Sequence, residues 1–166
     1  STPVISSAAS DVYKRQPSID VPKSSVIDNI ITDRRKNIAI APGAGDTVRQ
    51  WKFDNYLQIA KNLRDRQYNV YFFLGPDERY LLDICLDNKF ICPEWKDGQI
   101  ISTDITFTMN LAKKMSCLLC NDGGTAWMFE FAGVKTLKLF GVTDEKKFSR
   151  PGYSQAVQVK NFGYTI

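Results

Sequence analysis

From Asn37 onward, short uninterrupted apolar runs alternate with longer amphipathic stretches, and few folds accept that rhythm. Ile38–Ala41, Val70–Leu74 and Cys117–Asn121 are apolar almost throughout, as strands buried on both faces are, and further strands are predicted at Gln99–Ser102, Val134–Phe140 and Ala156–Val159. Between them Phe53, Tyr56, Leu57, Ala60 and Leu63 recur at helical spacing, with Asp54, Lys61, Asn62 and Asp65 on the other face. The stretches Asp77 to Asn88, Asp104 to Met115 and Thr125 to Ala132 read as three more helices. Strand and helix alternating four or five times demand right-handed crossovers, so the predicted class is α/β, a Rossmann-like doubly wound parallel sheet.

Residues 1–36 break the pattern. They are Ser-rich, carry Pro3, Pro17 and Pro22, and hold only the Val26, Ile27, Ile30, Ile31 cluster of apolar residues. They are predicted to be a linker or a non-native tail, which leaves 37–166 as the single domain for which 166 residues have room. Arg34-Arg35-Lys36 reads as a solvated edge before the first strand.

Charge and composition exclude several chemistries. Lys and Arg total 22 against 18 Asp and Glu, and the resulting +4 is spread thinly, so no nucleic-acid partner is expected. The absence of histidine removes the commonest general base, the commonest zinc ligand and every Ser/His or Cys/His nucleophile pair. Of the four cysteines, Cys117 and Cys120 form a CxxC, but on a strand residues three apart point to opposite faces. All four are read as ordinary thiols, and no metal or cofactor is expected. No stretch approaches the ~18 consecutive apolar residues of a membrane span, and the N-terminus lacks a signal-peptide layout.

In doubly wound sheets ligands bind beyond the carboxyl ends of the strands, which selects the loops Pro42 to Trp51, Gly75 to Glu78 and Asn121 to Thr125. In the last, Gly123 and Gly124 let the backbone approach a ligand while the first N–H groups of the next helix face it, an arrangement suited to a diphosphate. The alternative is a sharp turn in which Asp122 or Thr125 caps the helix. Pro42-Gly43-Ala44-Gly45 follows the same logic without matching GxGxxG or the P-loop, and Arg49 can fork onto phosphate oxygens or pair with Asp46 or Asp54 on the surface. Trp51 is read as a core anchor. Asp77 and Glu78 suit a helix start, by dipole and capping, or a ribose hydroxyl. Glu130, the one acid on an apolar helix, is either a buried acid or a rim residue reaching water, and the rim reading needs fewer assumptions.

Ala41-Pro-Gly-Ala44 with Arg49-Gln-Trp51, Phe73-Leu-Gly-Pro-Asp-Glu78, Leu119-Cys-Asn-Asp-Gly-Gly124 and Leu139-Phe-Gly-Val-Thr-Asp144 resemble, in this order, the C-terminal half of the family 9 glycosyltransferases, the bacterial ADP-heptose:lipopolysaccharide heptosyltransferases. The resemblance covers Asn37 to Tyr153. It implies one half of a GT-B enzyme, the half that holds the nucleotide-sugar donor, ADP-heptose or a similar compound. It places Arg49 where the family has a donor-phosphate lysine, and Ala44 and Gly45 in the phosphate-binding loop. Asp77 or Glu78 falls near the ribose, and Asp122, Gly123 and Gly124 on the diphosphate sugar. Gly123 lacks the family's hydroxyl, and Trp127 stands where the family commonly has a histidine. The implied reaction is inverting transfer of a heptose or related sugar to a lipid-linked saccharide acceptor, with the catalytic base in an N-terminal domain that the chain does not contain. The implied compartment is the cytoplasm, at most peripheral to the inner membrane. Two other readings stay open: a non-catalytic nucleotide-binding α/β domain, and another GT-B enzyme such as a sugar-nucleotide epimerase.

Overall fold

The structure, a computed structural model, describes residues 33–141, 143–149 and 151–159. The tail expected over 1–36, with its isoleucine cluster, thus lies almost wholly outside the described residues. Its last four residues are described. Asp33 caps a one-turn 3-10 helix, Arg34–Lys36, whose Arg34 Nε donates to the carbonyl oxygen of Met115 at 3.0 Å, while all four residues stay exposed to solvent.

Five parallel strands form the central sheet in the order β2 (Asn69–Phe72), β1 (Asn37–Ala41), β5 (Cys117–Asn121), β6 (Lys135–Phe140), β7 (Ser154–Gln158). Helices α1 (Phe53–Asp65), α2 (Arg79–Asp87), α3 (Ile105–Ala112), α4 (Gly124–Phe131) and the short α5 (Glu145–Phe148) connect them. The side-chain alternation of each strand divides the core in two. Ala39, Ala41, Leu118 and Cys120 face α3 and α4, where they meet Leu111, Met115, Ala126 and Phe129. Ile40, Phe72, Leu119 and Leu139 face α1 and α2, against Tyr56, Ala60, Leu82 and Cys85. Helices on both faces of a parallel sheet make the chain α/β and doubly wound, as the apolar runs require.

One expected strand is not in this sheet. Gln99–Ile100 (β4) pairs antiparallel with Trp95–Lys96 (β3) across the two-residue loop Asp97-Gly98, whose φ angles of 51° and 76° are those of a type I′ hairpin turn. The place beside β2 is taken by Ile91, which makes a single parallel bridge to Tyr71 before Pro93 ends the run. The hairpin folds back over the carboxyl end of β2, where the Trp95 indole N–H donates to the Leu74 carbonyl oxygen at 2.7 Å. Cys85, Cys92, Cys117 and Cys120 are all free thiols. Cys120 is buried in the α3/α4 core, whereas Cys117 is half-buried at the other end of the strand. Among the described residues no helix is long and apolar enough to cross a membrane.

Candidate nucleotide site at the carboxyl ends of β1, β2 and β5

Two backbone turns meet here. The turn after β5 lies against the turn after β1, so that a Cβ on Gly123 would sit 3.6 Å from both the Ala44 Cα and the Gly43 carbonyl oxygen. Asn121, 1% exposed at the end of β5, ties the two together. Its side-chain amide donates to the Pro42 carbonyl oxygen, and its Oδ1 accepts from the Tyr56 hydroxyl at 2.7 Å and from the Trp51 backbone N–H at 3.0 Å. Trp51 is half-buried and meets Tyr56 edge-on at 5.2 Å, which is the core role expected of it.

Helix α4 begins at this junction. Gly123 is its N-cap in fully extended backbone, and among the described residues no side chain accepts from the first-turn N–H groups. Neither Asp122, which is buried, nor Thr125 supplies the cap that the alternative reading of this turn required. A Cβ on Gly124 would meet nothing within 4 Å. The helix therefore presents uncapped donors and the positive end of its dipole to open space, which is how helices bind anions.

The rim on the β1 and β2 side is acidic. Asp77 is exposed, but Glu78 bends back until its carboxylate fills the space where a side chain on Gly43 would begin. It accepts from the N–H of Gly75, the N-cap of the 3-10 turn Pro76–Glu78, and so satisfies half of a capping box. Burial raises its pKa, against the pull of that N–H. Next to it lies Glu94, 7% exposed, whose carboxylate accepts from the Thr108 hydroxyl of α3 and from the Leu74 N–H. Burial, with the charge of Glu78 adding to it, pushes Glu94 up to about 7. Sequence reasoning missed both Asn121 and Glu94. Asn121 carried a signal, a polar residue closing a buried strand, whereas Glu94 lies just before the hairpin, in a stretch to which no element was assigned.

Of the expected site residues, the structure brings Ala44, Glu78 and Gly123 together through Gly43, with Gly124 opening beside them. Gly45 is exposed on the outer arm of the β1 turn. Arg49 ends the 3-10 turn Thr47–Arg49, half-buried, and pairs with neither Asp46 nor Asp54; Asp46 instead caps that turn by accepting from the Val48 N–H at 3.1 Å. Glu130 contradicts the rim reading. It is 1% exposed and bonded at 2.9 Å to the buried ammonium of Lys138 on β6, with the Thr136 hydroxyl donating to it at 2.7 Å. The reason is topological, because the α4 face carrying Glu130 packs on β6 and the mid-strand lysine makes the acid affordable there. Among the described residues no three His, Cys, Asp or Glu side chains converge so as to hold a metal ion.

The sequence profile of glycosyltransferase family 9 (heptosyltransferase) matches residues 5–164. No curated protein matches by sequence. Among solved structures, ADP-heptose lps heptosyltransferase II of E. coli superposes with a TM-score of 0.65 at 19% identity, over 84% of this chain and 44% of that one. A family 9 glycosyl transferase from Veillonella parvula DSM 2008 gives 0.63 at 16% identity, over 77% of this chain and 36% of that one. The E. coli heptosyltransferase WaaC with ADP-2-deoxy-2-fluoro heptose gives 0.62 at 10%, over 83% and 42%. The chain thus spans roughly two-fifths of the length of these structures, with which it shares a fold.

Proposed function

Because the chain belongs to glycosyltransferase family 9, we propose that it is the donor-binding half of a GT-B transferase. Its reaction moves a heptose or related sugar from a nucleoside diphosphate to a lipid-linked saccharide of the lipopolysaccharide type. The observation that carries this reading is the uncapped start of α4 facing open space beside the β1 turn. As the bond from sugar to diphosphate breaks, negative charge builds on the leaving diphosphate. The α4 N–H groups at Gly124 and beyond answer that charge from fixed positions and the Arg49 guanidinium adds a full positive charge, so no metal is required for it. Glu78, held over Gly43 as a hydrogen-bond acceptor, suits the ribose hydroxyls, and Asp77 lies on the same rim. Ala44 and Gly45 shape the loop beneath the phosphates, while Asp122 buttresses the turn. The acceptor's general base belongs to the other half of the enzyme in this reading, where the saccharide acceptor also docks, and the protein works in the cytoplasm at the inner-membrane surface.

Calorimetric titration tests the reading. ADP is expected to bind more tightly than AMP or free heptose, because only ADP engages the α4 start and Arg49 with two phosphates. Equal affinity for AMP and ADP would take the diphosphate role away from the turn and leave a general nucleotide-binding domain. The isolated chain is expected to transfer no sugar from ADP-heptose to a lipid acceptor, and turnover would bring the base within these residues.

A further inference from the structure

Outside the phosphate turn, the most unusual chemistry lies behind the first turn of α4. Lys138, in the middle of β6, is completely buried, and its ammonium sits 2.9 Å from Glu130 Oε1 and 4.3 Å from the ring centroid of Trp127. Glu130 Oε2 is buried without a hydrogen-bond partner among the described residues. An ion pair so enclosed is a poor stabiliser, since desolvation offsets most of its Coulomb energy, and an orphaned carboxylate oxygen adds to that cost. What the arrangement achieves is to hold one indole. The ammonium occupies one face of Trp127, yet the residue is 36% exposed. Cα–Cβ bonds in a helix lean toward its N-terminus, so the indole, one turn into α4, is carried back toward Gly123 and Gly124. Phe131, one turn on and 43% exposed, lies 6.5 Å from it and extends the apolar strip away from the turn.

We propose that the exposed face of Trp127 is the platform for the sugar ring of the donor, held rigid from behind by Lys138 and Glu130. This rests on the donor-binding reading of the same site. A pyranose presents a flat face of C–H groups that packs on an aromatic ring, while its hydroxyls stay at the edge and in water. The diphosphate at the α4 start places the ring it carries within reach of the first turn of that helix. Trp127 is thus a specificity-determining residue that distinguishes a nucleoside diphosphate sugar from the bare nucleoside diphosphate. Because Lys138 has already immobilised the indole, little side-chain entropy is lost on binding.

The experiment compares ADP-heptose with ADP by calorimetry in the full chain, in Trp127→Phe, in Trp127→Ala and in the paired variant Lys138→Met with Glu130→Gln, which removes the cation without stranding a buried charge. The unaltered chain is expected to bind ADP-heptose about tenfold more tightly than ADP, equivalent to about 1.4 kcal/mol. Trp127→Phe should retain part of that ratio and Trp127→Ala should bring it to about one, with ADP affinity itself changing less than about twofold. The paired variant should fall between. Trp51 and Trp95 remain in every variant, so fluorescence quenching that ADP-heptose causes and ADP does not should disappear with Trp127→Phe. An undiminished ratio in Trp127→Ala overturns the platform, as does an indole that serves only as a contact for another part of the enzyme, which gives the same result. ADP binding without any sugar preference also removes the platform and leaves the donor reading intact, whereas failure to bind ADP removes both.

Discussion

Two glycine turns lie against each other at the site, and glycine has a different task in each. In the β1 turn Gly43 makes room for the protein itself, since the Glu78 carboxylate occupies the space its side chain would take. In the β5 turn Gly124 makes room for something else, since nothing stands within 4 Å of the corresponding position. Identical residues at equivalent strand ends therefore have opposite energetic signs. The first glycine is needed by the apo fold, while the second matters only when a ligand arrives. An open turn at an uncapped helix start is a stronger indication of binding than glycine content alone.

The strongest way to break this contrast is to cut the strap between the turns. Asn121→Ala leaves the Tyr56 hydroxyl, the Trp51 N–H and the Pro42 carbonyl without their partner, and is expected to lose about 4 kcal/mol of stability by chemical denaturation. Retention of wild-type stability would show that the turns are held independently.

The acid rim of the β1 side gives the next effect. Glu94 stands near 7 in the fold against an ordinary 4.5, with burial as the main cause. Neutral acid is tolerated there and charge is not, so folding stability is fully present below about 4.5, declines as pH rises through 7, and is level above. Over that window the unaltered chain should lose on the order of 3 kcal/mol relative to Glu94→Gln. Parallel pH curves for the two proteins would show that Glu94 is hydrated and ordinary.

Arg49→Ala tests the ligand side without touching the apo fold. It should lose about 1.5 to 3 kcal/mol of ADP affinity. Its apo melting temperature should hold, because the guanidinium makes no ion pair with Asp46 or Asp54; Arg49→Lys should recover part of the affinity. A melting loss with intact ADP binding would make Arg49 a surface support.

The direct comparison of the two glycines is the subtlest. Gly43→Ala should cost about 1 kcal/mol, because the displaced group is the far end of a flexible side chain that swings away and gives up its Gly75 cap. Gly124→Ala should leave the apo protein unchanged or about 0.5 kcal/mol more stable, yet weaken ADP, since the new methyl group stands where the phosphates approach. The reverse order of stabilities would invert the assignment of the two turns.

The parallel sheet was legible because apolar runs without polar alternation admit few alternatives, and the site's location followed from the sheet. What stayed hidden depends on partners far away in sequence. Glu130 looks like a rim residue until Lys138 is seen to be its partner, and the lysine in the middle of the predicted strand Val134–Phe140 was the available sign. The misplaced strand had a local sign too, since Asp97-Gly98 is a hairpin dipeptide flanked by Trp95–Lys96 and Gln99–Ile100. Glu94 gave none, because its burial comes from that hairpin closing over Leu74 and Thr108.

The Asn121 strap also governs when the site comes into being. Its hydrogen bonds reach back 65, 70 and 79 residues, and the β1 to β5 pairing on which they rest closes a loop of the same span. Loop-closure entropy is lost before such distant contacts return anything, so high contact order makes this one of the slow events of folding. A chain that has formed only β1, α1, β2 and α2 has the first turn with nothing opposite it. Nucleotide recognition is therefore a property of the finished topology, and no early local fragment has it.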